Sequence, residues 1–91
     1  MLPLSPDELK AVCEAGESAA RQFVLSRVDK RLVKLLDISI TTEKKDGTTF
    51  SAAVSLELEQ VVDEDPEALA DLAAEAALEV IDKKMRSQQI G

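Results

Sequence analysis

The sequence predicts an α+β domain of order α-β-β-α: an antiparallel β-hairpin with one face covered by two antiparallel helices. Apolar residues recur at helical spacing toward both ends of the chain, they alternate with period two through its middle, and the pair Asp46-Gly47 divides the alternating region. With 91 residues there is room for one domain, 1–91, and a chain of this size buries only about 60–65% of the surface its unfolded form exposes.

The first helix is expected over about 6–27. Ser5-Pro6-Asp7-Glu8 reads as a capping box, in which the Ser5 oxygen accepts from the Glu8 amide while Glu8 reaches back to Ser5. Pro6 falls at the first helical position, where its missing donor costs nothing. Leu4 and Leu9 occupy the positions of a hydrophobic staple, and Leu9, Val12, Cys13, Gly16, Ala19, Ala20, Phe23 and Val24 trace the buried stripe. Gly16 costs an interior helical position about 1 kcal/mol relative to Ala, so its place on the stripe points to close approach of the second helix at Ala73, Ala76 or Ala77.

Strands are expected over about 34–44 and 48–60. Leu36, Ile38 and Ile40 alternate with Asp37, Ser39 and Thr41, and Phe50, Ala52, Val54, Leu56 and Leu58 alternate with Ser51, Ser55, Glu57 and Glu59. Both apolar sets are even-numbered, and residues directly opposite in a hairpin share a face. A three-residue loop, Lys45-Asp46-Gly47, satisfies that parity and pairs Ile40 with Ala52, Ile38 with Val54 and Leu36 with Leu56.

The second helix is expected over about 66–86, with Asp65 as cap and Pro66 as first residue. Leu69, Leu72, Ala73, Ala76, Ala77, Val80, Ile81 and Met85 form its apolar stripe, Glu79 and Lys83 pair four apart on its outside, and Ser87 to Gly91 are expected to fray.

Composition excludes several classes of function. Hydrophobic residues make up 45% of the chain and charged ones 32%, which predicts a packed globular domain rather than a disordered acidic tail. The aromatics are Phe23 and Phe50, without Trp or Tyr, too few for a platform that stacks single-stranded bases. A single thiol, Cys13, forms no internal disulfide, and Met1 to Ser5 lack a basic segment leading into an apolar run, so a reducing, cytoplasmic setting with no membrane span is expected.

Catalytic residues are not expected. Histidine is absent, Cys13 lies on the apolar stripe as a small buried hydrophobe, and Ser5 and Ser26 have no neighbouring base. Gly16, Gly47 and Gly91 are isolated, so no phosphate-cradling loop exists. Asp63-Glu64-Asp65 is the densest acidic run, but consecutive loop residues point in different directions, and acids before a helix start complement its dipole. No metal, cofactor or small-molecule substrate is expected.

Net charge is −7, which makes nucleic acid and anionic membrane unfavourable default partners, yet the charge is segregated. Arg21 to Lys45 hold seven bases and three acids, whereas Glu57 to Asp82 hold ten acids and no base. The antiparallel layout puts Arg27, Lys30, Arg31 and Lys34 at the same pole as Asp63, Glu64, Asp65 and Glu67, and Lys44, Lys45, Lys83, Lys84 and Arg86 at the pole of Asp7, Glu8 and Asp82. Internal neutralisation of much of this charge is expected from that arrangement.

Phe23-Val24-Leu25-Ser26-Arg27, Leu36-Asp37-Ile38-Ser39-Ile40 and the Ala-rich stretch from Leu69 to Asp82 carry a resemblance to an archaeal family of small uncharacterised proteins, domain of unknown function 3194. Lys44-Lys45-Asp46 makes a longer hairpin tip than that family's pattern. The resemblance implies an archaeal cytosolic protein without assigned activity, whose relatives' genes neighbour those for the chaperone prefoldin and for translation or transcription components. It carries no functional residue across.

Two functions are compatible with these features. A non-catalytic protein-interaction module is the leading expectation, because a bare two-stranded sheet leaves rows of unpaired donors and acceptors that invite another chain, including a second copy as a homodimer. The alternative is an RNA-associated accessory domain of translation or transcription that uses Arg27, Lys30, Arg31 and Lys34 on phosphates.

Overall fold

The computed structural model describes residues 5–43 and 48–86 in full and the backbone of 87–89. Helix α1 spans Pro6–Arg27, strands β1 and β2 span Val33–Glu43 and Thr49–Leu58, and helix α2 spans Pro66–Gln89, so the order α-β-β-α is the one expected.

Local chemistry sets the ends of these elements. The Ser5 N–H donates to Glu8 Oε1 at 2.9 Å and the Glu8 N–H donates to Ser5 Oγ at 3.2 Å, completing the capping box. At the other end Val28 is extended, and its N–H closes the last turn on the Val24 carbonyl at 2.9 Å. The staple residue Leu4 lies outside the described residues.

Asp29 then caps a short 3₁₀ turn, Lys30–Leu32, by accepting from the Arg31 N–H at 2.9 Å. In front of α2 the Asp65 carboxylate accepts from the Glu67 N–H at 3.0 Å, as expected of the cap. Helix α2 runs three residues beyond its expected end, through the start of the segment expected to fray.

β1 and β2 pair antiparallel in the expected register, with Ile40 opposite Ala52, Ile38 opposite Val54, Leu36 opposite Leu56 and Glu43 opposite Thr49. The loop Lys45-Asp46-Gly47 lies outside the described residues. β2 stops at Leu58 rather than residue 60, because the chain turns there: the Val62 N–H donates to the Glu59 carbonyl at 3.0 Å.

The start of β1 differs from expectation. A bulge between Val33 and Leu35 inserts Lys34 as an extra residue, and this resets the alternation. Without it, even-numbered Lys34 would face inward with Leu36. With it, Val33 and Leu36 turn inward while Lys34 and Leu35 are adjacent on the exposed side, leaving Leu35 46% accessible.

Both helices lie on the even-numbered face of the hairpin. Ala20, Val24, Ala73 and Ala77 form the buried centre, and Leu36, Ile38, Ile40, Ala52, Val54 and Leu56 pack against it while only half-buried. Val12, Val28, Leu69, Ala70 and Ile81 complete the core, whose largest fully buried side chains are Val12 and Val24.

Gly16 packs directly against α2. A Cβ there would meet Ile81 Cδ1 at 2.7 Å, Ile81 Cγ1 at 2.9 Å and the Ala77 carbonyl oxygen at 3.5 Å. The residue that forbids a side chain is therefore Ile81, with Ala77 behind it, rather than Ala73 or Ala76.

Two further positions depart from the expected stripes. Leu72 is 44% exposed at the flank of α2, because the buried stripe runs through Leu69, Ala73, Ala77 and Ile81 and brings in Ala70 instead. Cys13 is half-buried rather than fully enclosed. The molecule measures 49 × 23 × 18 Å with a radius of gyration of 14.6 Å. A compact chain of this length has a radius of gyration of about 12 Å.

Candidate functional site

Two surfaces qualify on chemical grounds: the basic connection between α1 and β1, and the open side of the hairpin with the flank of α2 above it.

Arg27 ends α1 with its guanidinium carbon 5.1 Å from the centre of the Phe23 ring, a cation–π distance. Lys30 and Arg31 stand in the 3₁₀ turn, and Lys34 projects outward at the bulge. The structure thus gathers the four expected bases in one connection, all exposed.

Arg31 is already occupied. Its Nε donates to Asp29 Oδ1 at 3.3 Å and its Nη2 to Asp29 Oδ2 at 3.0 Å, a bidentate pair. The Arg31 side chain first, and then the Arg31 backbone N–H, hold the Asp29 carboxyl below its ordinary range.

Neutralisation across the pole does not take the form of ion pairs. Among the described residues the salt bridges are local: Glu17 with Arg21, Asp29 with Arg31, Glu79 with Lys83 and Asp82 with Arg86. The Glu79–Lys83 pair is the one expected from spacing, at 3.6 Å. None joins Arg27, Lys30 or Lys34 to Asp63, Glu64, Asp65 or Glu67. Long exposed side chains gain too little from such contacts to be held together. Among the described residues, no group of three or more acidic or cysteine side chains is arranged to hold a metal ion.

The hairpin offers the second surface. Among the described residues no third strand pairs with β1 or β2, so both edges keep unpaired backbone donors and acceptors. The outward face carries Asp37, Ser39, Thr41 and Glu43 on β1 and Ser51, Ala53, Ser55 and Glu57 on β2, all exposed.

The inner face is only half-buried because each of its two strands is an edge, open to solvent along one flank. Two strands make a sheet about 10 Å wide, whereas two helices, each about 10 Å in diameter, cover about twice that width. The helices therefore overhang the sheet edges.

Beneath the overhang of α2, an open groove of about 430 Å³ with mixed polar and apolar lining lies between the second half of that helix and the start of β2. It is lined by Phe50, Leu78, Ile81 and Met85, with Thr48, Thr49 and Asp82 at its polar margin. Leu78, Asp82 and Met85 continue a row that begins at Asp71 and Glu75, spaced three and four residues apart and hence on one flank of α2.

The sequence concealed this row. Its acids look like ordinary solvent-facing positions until the groove shows which way the flank points. Val61, 81% exposed in the turn after β2, was likewise indistinguishable from its half-buried neighbour Val62. No helix among the described residues is long and apolar enough to cross a membrane.

Comparison with known proteins adds the following. The family model described as "Protein of unknown function (DUF3194)" matches residues 1–84. The solution structure of the hypothetical protein mth677 from Methanothermobacter thermautotrophicus superposes with a TM-score of 0.81 at 22% identity, covering 96% of this chain and 94% of that one. A crystal structure from Thermococcus onnurineus NA1 superposes with a TM-score of 0.80 at 22% identity, covering 98% and 86% of the two chains. At this identity both similarities concern the fold. No curated protein matches the chain.

Proposed function

Because the chain belongs to the DUF3194 family, described only as of unknown function, we propose a role from its own surface: a non-catalytic protein-interaction module that works through its open hairpin and associates with a second copy. The observation that carries this reading is the two-stranded sheet with both edges unpaired and its apolar face half-buried. A strand added at either edge satisfies the unpaired backbone groups and slides under a helix that already extends past the sheet.

A lone thiol is in keeping with a reducing, cytoplasmic setting.

Sedimentation equilibrium from 1 to 100 μM tests self-association. A monomer–dimer equilibrium across that range is the expected result, and a single monomeric species throughout would remove self-pairing from the reading.

A second reading, an RNA-associated accessory domain, draws on Arg27, Lys30 and Lys34, which have no carboxylate partner among the described residues. Titration with bulk transfer RNA at low salt, followed by amide shifts, discriminates the two. Unchanged signals at Arg27, Lys30, Arg31 and Lys34 would eliminate the RNA reading.

A further inference from the structure

We propose that the β2 edge, beneath the acidic flank of α2, is the docking site for an extended segment of a different protein in which lysine or arginine alternates with small residues. This rests on the reading of the open hairpin as a strand-addition surface and names the edge and its occupant.

The two edges are not equivalent. β1 carries Lys34, Asp37 and Glu43 and begins with a bulge, devices that discourage pairing along its length. From Thr49 to Leu56, β2 carries no charge, no proline and no bulge. It is the longer template of the two.

What α2 presents above that edge determines the occupant. Asp71, Glu75, Leu78, Asp82 and Met85 form one row: the groove sets Leu78, Asp82 and Met85 over the start of β2, and helical spacing continues the same flank to Glu75 and Asp71. Asp82 is matched by Arg86 at 2.9 Å, whereas Asp71 and Glu75 have no salt-bridge partner among the described residues.

A strand added to β2 directs every second side chain to the helix side. Lysine or arginine beside Leu78 lays its aliphatic stem on that side chain and brings its charge to Glu75, one turn away, and the next inward residue, about 7 Å further along the strand, reaches Asp71. The side chains between them fall on the outward face beside Ser51, Ala53 and Ser55, which suits small residues.

A second copy is the wrong occupant for this edge. Antiparallel pairing of two β2 strands about Ala53 keeps the helices on one side of the joined sheet, and it also brings Asp71 and Glu75 of both copies together at the two-fold axis. Four carboxylates converging there oppose the contact. Self-association is left to the β1 edge, and there to its uncharged stretch, Ile38–Thr42, clear of the bulge.

The test uses the full chain labelled with ¹⁵N and a blocked twelve-residue peptide of alternating threonine and lysine, with the threonine–glutamate peptide as its counterpart. Expected with the lysine peptide are amide shifts and slowed hydrogen exchange within Thr49–Leu58, with shifts along residues 71–85 of α2. The double variant Asp71→Lys/Glu75→Lys changes exposed positions only, and circular dichroism verifies its fold. It should bind the lysine peptide about tenfold more weakly and acquire binding of the glutamate peptide.

Shifts on Val33–Glu43 instead, or a response to neither peptide, would overturn the proposal and leave the sedimentation result to judge the hairpin reading. Equal binding of both peptides at β2 would keep strand addition and reject the basic occupant.

Discussion

At the level of single residues, the contact between Gly16 and Ile81 decides how near the helices lie. Alanine at position 16 gains about 1 kcal/mol of helix propensity. Its Cβ also overlaps Ile81 Cγ1 and Cδ1, at 2.9 and 2.7 Å. Isoleucine in a helix holds χ1 nearly fixed, so Cγ1 cannot swing aside, and overpacking of this kind costs about 1–3 kcal/mol. Gly16→Ala should therefore lower stability by about 1 kcal/mol in urea titration. In an Ile81→Ala background, itself about 3 kcal/mol less stable, the same change should become stabilising. A sign that stays the same in both backgrounds would refute the contact. Glu8 gives a pH-dependent counterpart. The Ser5 N–H first, and the Ser5 side chain second, hold its carboxyl below the ordinary 4.5. Because the folded pKa is the depressed one, the stabilisation is fully present above pH 4.5 and is lost as pH falls through the lowered value. Glutamine retains the acceptor without the titration, so Glu8→Gln should lose less melting temperature than the native chain between pH 6 and pH 3. Equal losses would mean that the capping carboxylate does not contribute to acid unfolding.

At the level of elements, α2 separates covering from packing. Leu72 is 44% exposed and Ile81 is 2% exposed, although both fall on the expected apolar stripe. Leu72→Ala should cost under about 1 kcal/mol against about 3 kcal/mol for Ile81→Ala, measured as the shift in urea midpoint at constant slope. Similar costs for the two would mean that the flank of α2 is covered in solution. The strands show how much of this arrangement could be read beforehand. Even-numbered apolar residues on both sides of Asp46-Gly47 dictated the pairing of Ile38 with Val54, because a one-residue slip would turn every inward side chain outward. Capping was legible for a similar reason: Ser5, Glu8, Asp65 and Pro66 act on backbone groups a few residues away, and sequence spacing specifies such contacts. The bulge at Lys34 was not legible, since a backbone irregularity leaves no composition of its own and only the parity conflict at that residue hinted at it. Asp29 held a usable signal that was missed, a carboxylate two residues before Arg31 at the end of a helix. The groove under α2 brings residues 48–50 to residues 78–85, and the sequence gives no measure of which helix flank overhangs which strand edge.

At the scale of the whole molecule, the buried residues form a line rather than a ball. Val12, Ala20 and Val24 face Ala73, Ala77 and Ile81 along the helix seam, with the hairpin beneath and solvent close on both sides. In a body of 49 × 23 × 18 Å, the distance from either end governs protection more than depth does. Opening from a pole breaks only the few contacts nearest that pole, so the structure comes apart by degrees as a zipper does. The slowest-exchanging amides then belong midway along the seam, near Gly16, Ala20 and Ala77, and exchange quickens toward both poles. A chain pressed along β2 acts as a splint, bridging levels that otherwise open in succession.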